Sequence, residues 1–408
     1  MTHTADILIT GGGLVGSTLA VALAQQGFRT TMIDALPKAT RRKRGFDGRS
    51  YAMALSTQRM LAALDLWPRL DPDAQPILDI KVADGKPGQR PSPFFLHFDH
   101  ADLGPDPMGY MVEDRHARVA LLEAEREQPN LSHIAKETVV SQTVEPGRIT
   151  IETASGDVHS APLLIGCDGR GSGTAERAGI KRTGWDYGQS SLVCALHVER
   201  PHGGVAHQLF LPAGPLAILP LTNNRVGVVW TERTEQANRV QALDDAGYMN
   251  VLRPLFGDFL GRIELAGDRF TFPLSLSLAH RFTGDRVALV GDAAHGIHPI
   301  AGQGLNAGMK DVAAMVETLV DARARGEDIG APTVLDRYQQ WRRFDTATLA
   351  LATDGFNRLF SNNSSLLRGL RDLGMGAVQA MPGLRRTFQR EAAGLSGDIP
   401  KLMQGQRL

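Results

Sequence analysis

Short apolar runs that end in glycine or an acid set the framework of this chain. Residues 6–10 read as a strand that leads directly into Gly11-Gly12-Gly13-Leu14-Val15-Gly16, after which Leu19, Ala22 and Leu23 recur at helical spacing and Gly27 is placed to stop the helix. A second strand over residues 30–33 ends at Asp34, and Leu163-Leu164-Ile165 runs into Gly166-Cys167-Asp168-Gly169. Val287, Ala288, Leu289 and Val290 run into Gly291 and Asp292. Beyond a glycine-rich loop, Leu305, Met309, Val312, Val316 and Leu319 then predict a further helix. Unbroken apolar runs of this length suit parallel strands covered on both faces. Between residues 190 and 282 the pattern changes to alternating or short runs at 192–198, 205–211, 216–221 and 226–231, broken by proline and glycine, which predicts an antiparallel sheet. From about residue 345 the apolar positions Phe356, Leu359, Phe360, Leu366, Leu367, Leu370 and Leu373 return to helical spacing.

The expected fold is therefore α/β, with a Rossmann-like nucleotide-binding domain built on a parallel sheet, an antiparallel-sheet substrate domain and a helical C-terminal region. The boundaries expected are 1–75, 101–182 and 283–344 for the first, 76–100 and 183–282 for the second, and 345–408 for the third. A chain of 408 residues is too long for one ordinary core, in keeping with this division. Lysine plus arginine and aspartate plus glutamate both number 44, so nothing in the overall charge suggests a nucleic-acid partner. Cys167 and Cys194 are the only cysteines, which gives neither a disulfide framework nor a paired-cysteine zinc site and fits a reducing cytoplasm. The start of the chain lacks the pattern of an export signal, and no run of apolar residues is long enough for a membrane span.

The glycine motifs carry the chemistry. Strand, G-x-G-x-x-G, helix and a strand-end acid 23 positions after Gly11 together fit an adenine dinucleotide, with the ribose hydroxyls on Asp34. A glycine-rich turn alone can serve a tight strand-to-helix connection with no ligand, but the agreement of all four features favours the ligand. At the second loop, Gly291, Asp292, Pro299, Gly302, Gln303, Gly304, Leu305 and Asn306 place a helix amino terminus against a flat or anionic group.

The first glycine motif, the Asp168-Gly169 element and the Gly291-Asp292 element, in this order, resemble the single-component FAD aromatic hydroxylases related to p-hydroxybenzoate hydroxylase. A narrower resemblance lies in His298-Pro299-Ile300-Ala301-Gly302-Gln303-Gly304-Leu305-Asn306-Ala307-Gly308-Met309-Lys310-Asp311, which is similar to the signature of the ubiquinone-biosynthesis hydroxylases acting on polyprenylated phenols. Phe46-Asp47-Gly48-Arg49-Ser50, Glu113-Asp114-Arg115 and the run from Arg390 to Asp398 look like the same group. The resemblance implies FAD as cofactor, held by Gly11, Gly13, Leu14, Val15, Gly16, Asp34, Arg49, Arg115, Asp168 and the second-loop residues, with Asp292 at the ribityl and pyrophosphate region. It further implies NADPH or NADH as a transient reductant, and hydroxylation of a lipophilic phenol through a flavin C4a-hydroperoxide. One departure is Ala175, where the family commonly has arginine, flanked here by Arg170 and Arg177. It bears on nicotinamide contacts rather than on the fold.

Other roles stay open. For a catalytic acid or base, Tyr187 and His298 are the only candidates, and each reads equally as a structural residue. Leu219 and Pro220, within the 216–221 run, are candidates for a substrate-pocket wall, although periodicity alone reads them as core. No metal site is expected, because His295 and His298 lack a third ligand at useful spacing. The basic run Lys38, Arg41, Arg42, Lys43 and Arg44 reads as a solvated loop or as an attractor of NADPH phosphates or of a membrane surface. From Phe356 onward eight lysines or arginines stand against three acids. Helices of this kind pack on the main domain, the commoner fate, or lie on anionic lipid. The partners considered are thus the phenol, a peripheral contact at the inner face of the membrane and a multiprotein ubiquinone-synthesis complex. Competing functions are a hydroxylase of a small soluble aromatic and a non-catalytic flavoprotein subunit. A flavin halogenase is disfavoured because none of the four tryptophans lies in a W-x-W-x-I-P arrangement.

Overall fold

The computed structural model describes residues 2–85, 95–297, 302–360, 376 and 378–408. The strand Ile7–Thr10 is buried at every position and sits inside a six-stranded sheet. Across that sheet the order is Thr283–Gly284, Val287–Leu289, Leu163–Gly166, Ile7–Thr10, Thr30–Asp34 and Leu131–Ala135. All pairings are parallel except the edge pair Thr283–Gly284 with Val287–Leu289. Gly166 lies opposite both Thr10 and Leu289, and Thr10 opposite Ile33. The loops that follow these strands therefore leave from one edge, where open α/β sheets bind ligands. Helices Leu14–Gln25, Asp114–Arg126 and Gln303–Ala324 cover the sheet with Leu19, Leu23, Leu121, Val312, Val316 and Leu319 in one core.

The second sheet has nine strands. From one edge it runs His295–Gly296, Phe270–Ala279, Arg182–Val198, Arg225–Arg233, Gly214–Leu221, Val205–Leu211, Asp79–Asp84 and Phe95–Asp99, with Ile263–Leu265 on the far part of Arg182–Val198. It is antiparallel, as the alternation predicts, apart from one pair. Val205–Leu211 and Asp79–Asp84 run parallel, because the latter strand enters from an earlier part of the chain. Period-two alternation gives the sheet two different faces. Leu216, Ile218, Val226, Val228 and Trp230 pack with Tyr248, Leu252 and Phe256 of helix Asp245–Phe256, while Ala217, Leu219, Val229 and Thr231 look into a cavity between the sheets.

A three-stranded sheet of Ser50–Ala54, Gly109–Glu113 and Gln75–Ile77 lies at the junction. Pro332–Phe360 is one continuous helix, so the expected boundary at 344/345 falls inside it. The side chains of Phe356, Leu359 and Phe360, and residues Leu366, Leu367, Leu370 and Leu373, lie outside the described residues. Helix Pro382–Ala392 and the turn Lys401–Gln404 follow, and Leu402 and Met403 are buried in the core of the parallel sheet.

Candidate active site

Two helix amino termini open onto the same space. The first helix starts at Leu14 behind Gly13, and the second at Gln303 behind Gly302, whose φ of +64° only glycine adopts readily. Neither terminus has a side-chain cap or an acid in its first turn, so their free N–H groups are left for a ligand. A Cβ on Gly13 or Gly304 would meet nothing within 4 Å, whereas one on Gly11 would come within 2.4 Å of the Cys167 carbonyl oxygen. The loop is thus tight towards the protein and open towards the cavity. A cradle of this form fits a dinucleotide, with its pyrophosphate at the first terminus and the electron-rich edge of a flavin at the second.

The cavity measures about 1480 Å³, more than a drug-sized ligand requires. One arm is lined by Gly12 to Gly16, Leu36, Thr40, Arg41 and Arg49, and the middle by Arg170, Asp292 and Gly302 to Asn306. Its far wall is the inner face of the second sheet, where Ile80, Val82, Leu96, Phe98, Ala217 and Leu219 make a largely apolar surface, with Gln208 between Val82 and Ala217 and Thr231 as polar positions on it. Asn306 ties the second helix to the junction strand Ser50–Ala54 and the helix that follows it: its Oδ1 accepts from the Ala54 N–H (2.9 Å) and the Thr57 hydroxyl (2.8 Å), and its Nδ2 donates to the Ala52 carbonyl (2.8 Å).

Among the expected cofactor residues, Gly13, Leu14, Val15, Gly16, Arg49, Asp292, Gly302, Gln303, Gly304, Leu305 and Asn306 line this cavity, as does Leu219. Others do not. Gly11 and Gly291 lie behind the wall, where Gly11 abuts Cys167 and Gly291 abuts Val15. Asp168 is occupied by the hydroxyls of Ser172 (2.5 Å) and Thr174 (2.8 Å) and the Thr174 N–H (2.9 Å), which fixes the short helix Gly173–Arg177. Gly169 and Arg170 reach the cavity in its place. Arg115 pairs with Glu113 (3.0 Å) and donates to the Arg44 carbonyl, away from the wall. Pro220 takes the alternate strand position from Leu219 and is not on the wall. Tyr187 is half-buried against Leu276, Ile297 and Ala307, with its ring edge on Trp185, and does not reach the cavity. His298 and Pro299 lie outside the described residues.

Asp34 is buried, and its Oδ2 has no hydrogen-bond partner. A Cβ on Gly12 would lie 2.5 Å from that oxygen, so the acid sits directly under the glycine loop. It does not itself line the cavity. Arg41 does, at 3.8 Å from Asp34. Far from belonging to a solvated loop, Arg41 is 2% exposed and bonds the Ser17 hydroxyl (2.5 Å) and Glu125 (3.2 Å). Burial would raise the Glu125 pKa, but the His133 hydrogen bond and the Arg41 charge hold it below the usual carboxylate range. Lys38, Arg42, Lys43 and Arg44 remain exposed.

Arg49, Arg170 and Asp292 were named from the sequence, but the pairings that organise the two arms, through Asp114 and Arg182, were not. Asp114, buried, takes Arg49 (2.9 Å), Arg118 (2.5 Å) and the Tyr51 hydroxyl (3.0 Å). Its burial raises the carboxyl pKa, against the pull of both arginines. The one available signal was its place in the Glu113-Asp114-Arg115 segment. Arg170 donates to Asp292 (3.1 Å) and to the Ile297 carbonyl (3.1 Å), while Arg182 donates to the Asp292 and Ala293 carbonyls, so two cations hold the second loop. Beneath that loop, wholly buried Asp311 accepts from the Gly291 N–H (2.9 Å) and the Arg342 Nε (2.7 Å) and meets His295 Nε2 at 2.5 Å. His295 is therefore a structural partner, as its loop setting suggests.

The chain matches the FAD binding domain family over residues 4–351. It is 43% identical to ubiquinone hydroxylase UbiL of Rhodospirillum rubrum over 404 residues, covering 98% of this chain and 93% of that protein. It is 33% identical to the 3-demethoxyubiquinol 3-hydroxylase of Escherichia coli, covering 96% and 98%. Among solved structures, p-nitrophenol 4-monooxygenase PnpA of Pseudomonas putida superposes with a TM-score of 0.79 at 20% identity, covering 97% of this chain and 99% of that one, a likeness of fold. With two open helix termini at one sheet edge and these relatives along nearly its whole length, the chain belongs to the FAD-dependent monooxygenases of the FAD binding domain family that includes the ubiquinone hydroxylases.

Proposed function

We propose that this protein hydroxylates the ring of a polyprenylated phenol in ubiquinone biosynthesis, taking electrons from NADPH or NADH. The observation that carries the reading is the apolar sheet wall that continues the flavin end of the cavity, because a small soluble aromatic would leave most of it uncovered. The relatives named as a ubiquinone hydroxylase and as a 3-demethoxyubiquinol 3-hydroxylase support the same substrate class. FAD, when bound, supplies the reductive activation of O2. The protein's part is to bind, orient and exclude water. In this reading Gly13 to Gly16 hold the pyrophosphate, with Arg49 beside it and Asp34 below the adenosine side. Asp292, kept in place by Arg170, faces the ribityl chain, and the N–H groups from Gly302 to Asn306 stabilise negative charge on the reduced ring. The parallel sheet with its helices then acts as the cofactor domain and the nine-stranded sheet as the substrate domain. Mixing the holoprotein anaerobically with NADPH or NADH and a polyprenylphenol should bleach the oxidised FAD absorbance. A spectrum that stays oxidised with both reductants rejects the reading.

A peripheral membrane contact belongs to the same proposal, as does docking into a multiprotein complex. No helix among the described residues is long and apolar enough to cross a membrane. Helix Pro382–Ala392 supports a surface contact: it turns Gln389 inward onto the Asp99 carbonyl and pairs Arg385 with Asp102, leaving Met381, Leu384 and Phe388 exposed. Phe388 and the exposed Phe344 also line the cavity. Full-length holoprotein is expected to float with phosphatidylcholine vesicles containing phosphatidylglycerol; no association with them removes the membrane part.

A further inference from the structure

The cavity has a charged corner that the cofactor reading does not use. Lys310, one helical turn beyond Asn306, lines the cavity and pairs with Asp345 at 2.6 Å. Asp345 is steadied from behind by Arg342 at 3.0 Å, and Arg342 is anchored in turn on Asp311. Next along the same helix, Thr346 also lines the cavity. It is 1% exposed, and its hydroxyl has no hydrogen-bond partner.

The segment that closes this corner is the turn around Gly394 and Gly397, within the Arg390–Asp398 run singled out above. Both glycines have left-handed φ, +71° and +76°. A Cβ on Gly394 would strike the Ser56 hydroxyl at 2.1 Å, and one on Gly397 would lie 3.8 Å from the Lys310 ammonium. The backbone therefore packs directly on the Ser56 hydroxyl at Gly394 and leaves room beside the Lys310 ammonium at Gly397.

Buried hydroxyls without partners are costly and rarely kept without a ligand or water to satisfy them. An ammonium, a carboxylate and a hydroxyl together can both donate to and accept from a neutral hydroxyl, and the ammonium favours its anion. Resting on the proposed phenol substrate, we infer that Lys310, Asp345 and Thr346 form the subsite that receives the oxygen substituents of the substrate ring. The apolar wall then takes the prenyl chain. The subsite fixes which way round the ring enters, and it supplies a hydroxyl-binding group inside the cavity, which Tyr187 does not reach.

The test is equilibrium binding of a short-chain prenylphenol, followed by its perturbation of the oxidised-flavin absorbance band, with FAD affinity measured separately on the apoprotein. Lys310→Met should weaken prenylphenol binding about ten-fold or more, as for a lost charge-assisted hydrogen bond. The isosteric Thr346→Val should weaken it about five-fold, with Lys310→Arg and Thr346→Ser restoring most of the loss. FAD affinity should stay within about two-fold throughout. Unchanged prenylphenol binding in Lys310→Met and Thr346→Val, with wild type binding normally, overturns the inference and leaves the proposed function standing. So does a parallel loss of FAD and prenylphenol affinity, which would mark a structural role. If wild type binds no prenylphenol, both fall together.

Discussion

Asp311→Asn should destabilise the protein by about 3 kcal/mol, the low end of the cost of breaking a buried ion pair, because Arg342 keeps Asp345 as a second partner. The substitution preserves shape but leaves a buried guanidinium short of one negative charge. It also weakens the acceptor for the Gly291 N–H and for His295. The effect has a pH signature. Burial raises the Asp311 carboxyl pKa, but His295 and Arg342 outweigh it and hold the group below its ordinary value. A depressed folded-state pKa contributes stability above the unfolded-state value, near 3.9, and that contribution disappears as pH falls further. Wild type should therefore lose stability below about pH 4 more steeply than the variant. Urea unfolding at pH 7 and at acid pH measures both; a loss under about 1 kcal/mol at pH 7 would show that the network does not hold the loop.

Gly11→Ala and Gly13→Ala should separate cleanly, although they lie two positions apart. At Gly11 φ is +94° and an added Cβ meets the Cys167 carbonyl oxygen at 2.4 Å and the Asp168 Cα at 2.9 Å, all backbone atoms of the neighbouring loop. The left-handed backbone alone costs about 1–2 kcal/mol, and the clash must push two strand ends apart. That protein should purify without FAD and melt early, or fail to fold. At Gly13 φ is −68° and the Cβ meets nothing within 4 Å, so the apoprotein should keep its stability within about 0.5 kcal/mol and lose only FAD affinity. Apoprotein melting and FAD titration of the two variants decide the point. Equal losses of stability in both would contradict the asymmetry of the loop.

How far the chain could be read without coordinates follows from what each element packs against. Ile7–Thr10, Leu163–Gly166 and Val287–Leu289 were legible because strands covered on both faces must be apolar throughout, and the glycines after them mark turns. Asp79–Asp84 and Phe95–Asp99 were not, since Ile80, Val82, Leu96 and Phe98 alternate with Asp79, Lys81, His97 and Asp99 over lengths too short to stand out. Yet these strands build the far wall. Arg41 looked like one more cation of a basic run because the partners that bury it, Ser17 and Glu125, are 24 and 84 positions away. The same holds for Asp311 and Arg342, 31 positions apart. Asp168 shows the reverse: a strand-end acid expected to face the ligand has its carboxylate taken up by Ser172 and Thr174, whereas Asp34 keeps one oxygen unpartnered under Gly12.

The parallel pairing of Val205–Leu211 with Asp79–Asp84 bears on how the molecule is made. The early strand cannot find its neighbour until the later one has left the ribosome, and the parallel sheet waits longer still for Val287–Leu289. Contacts so distant in sequence form slowly. The nascent chain therefore leaves one edge of Asp79–Asp84 unpaired through much of its synthesis, and its capture of FAD, which needs the glycine loop after Val287–Leu289, belongs to the end of folding rather than its beginning.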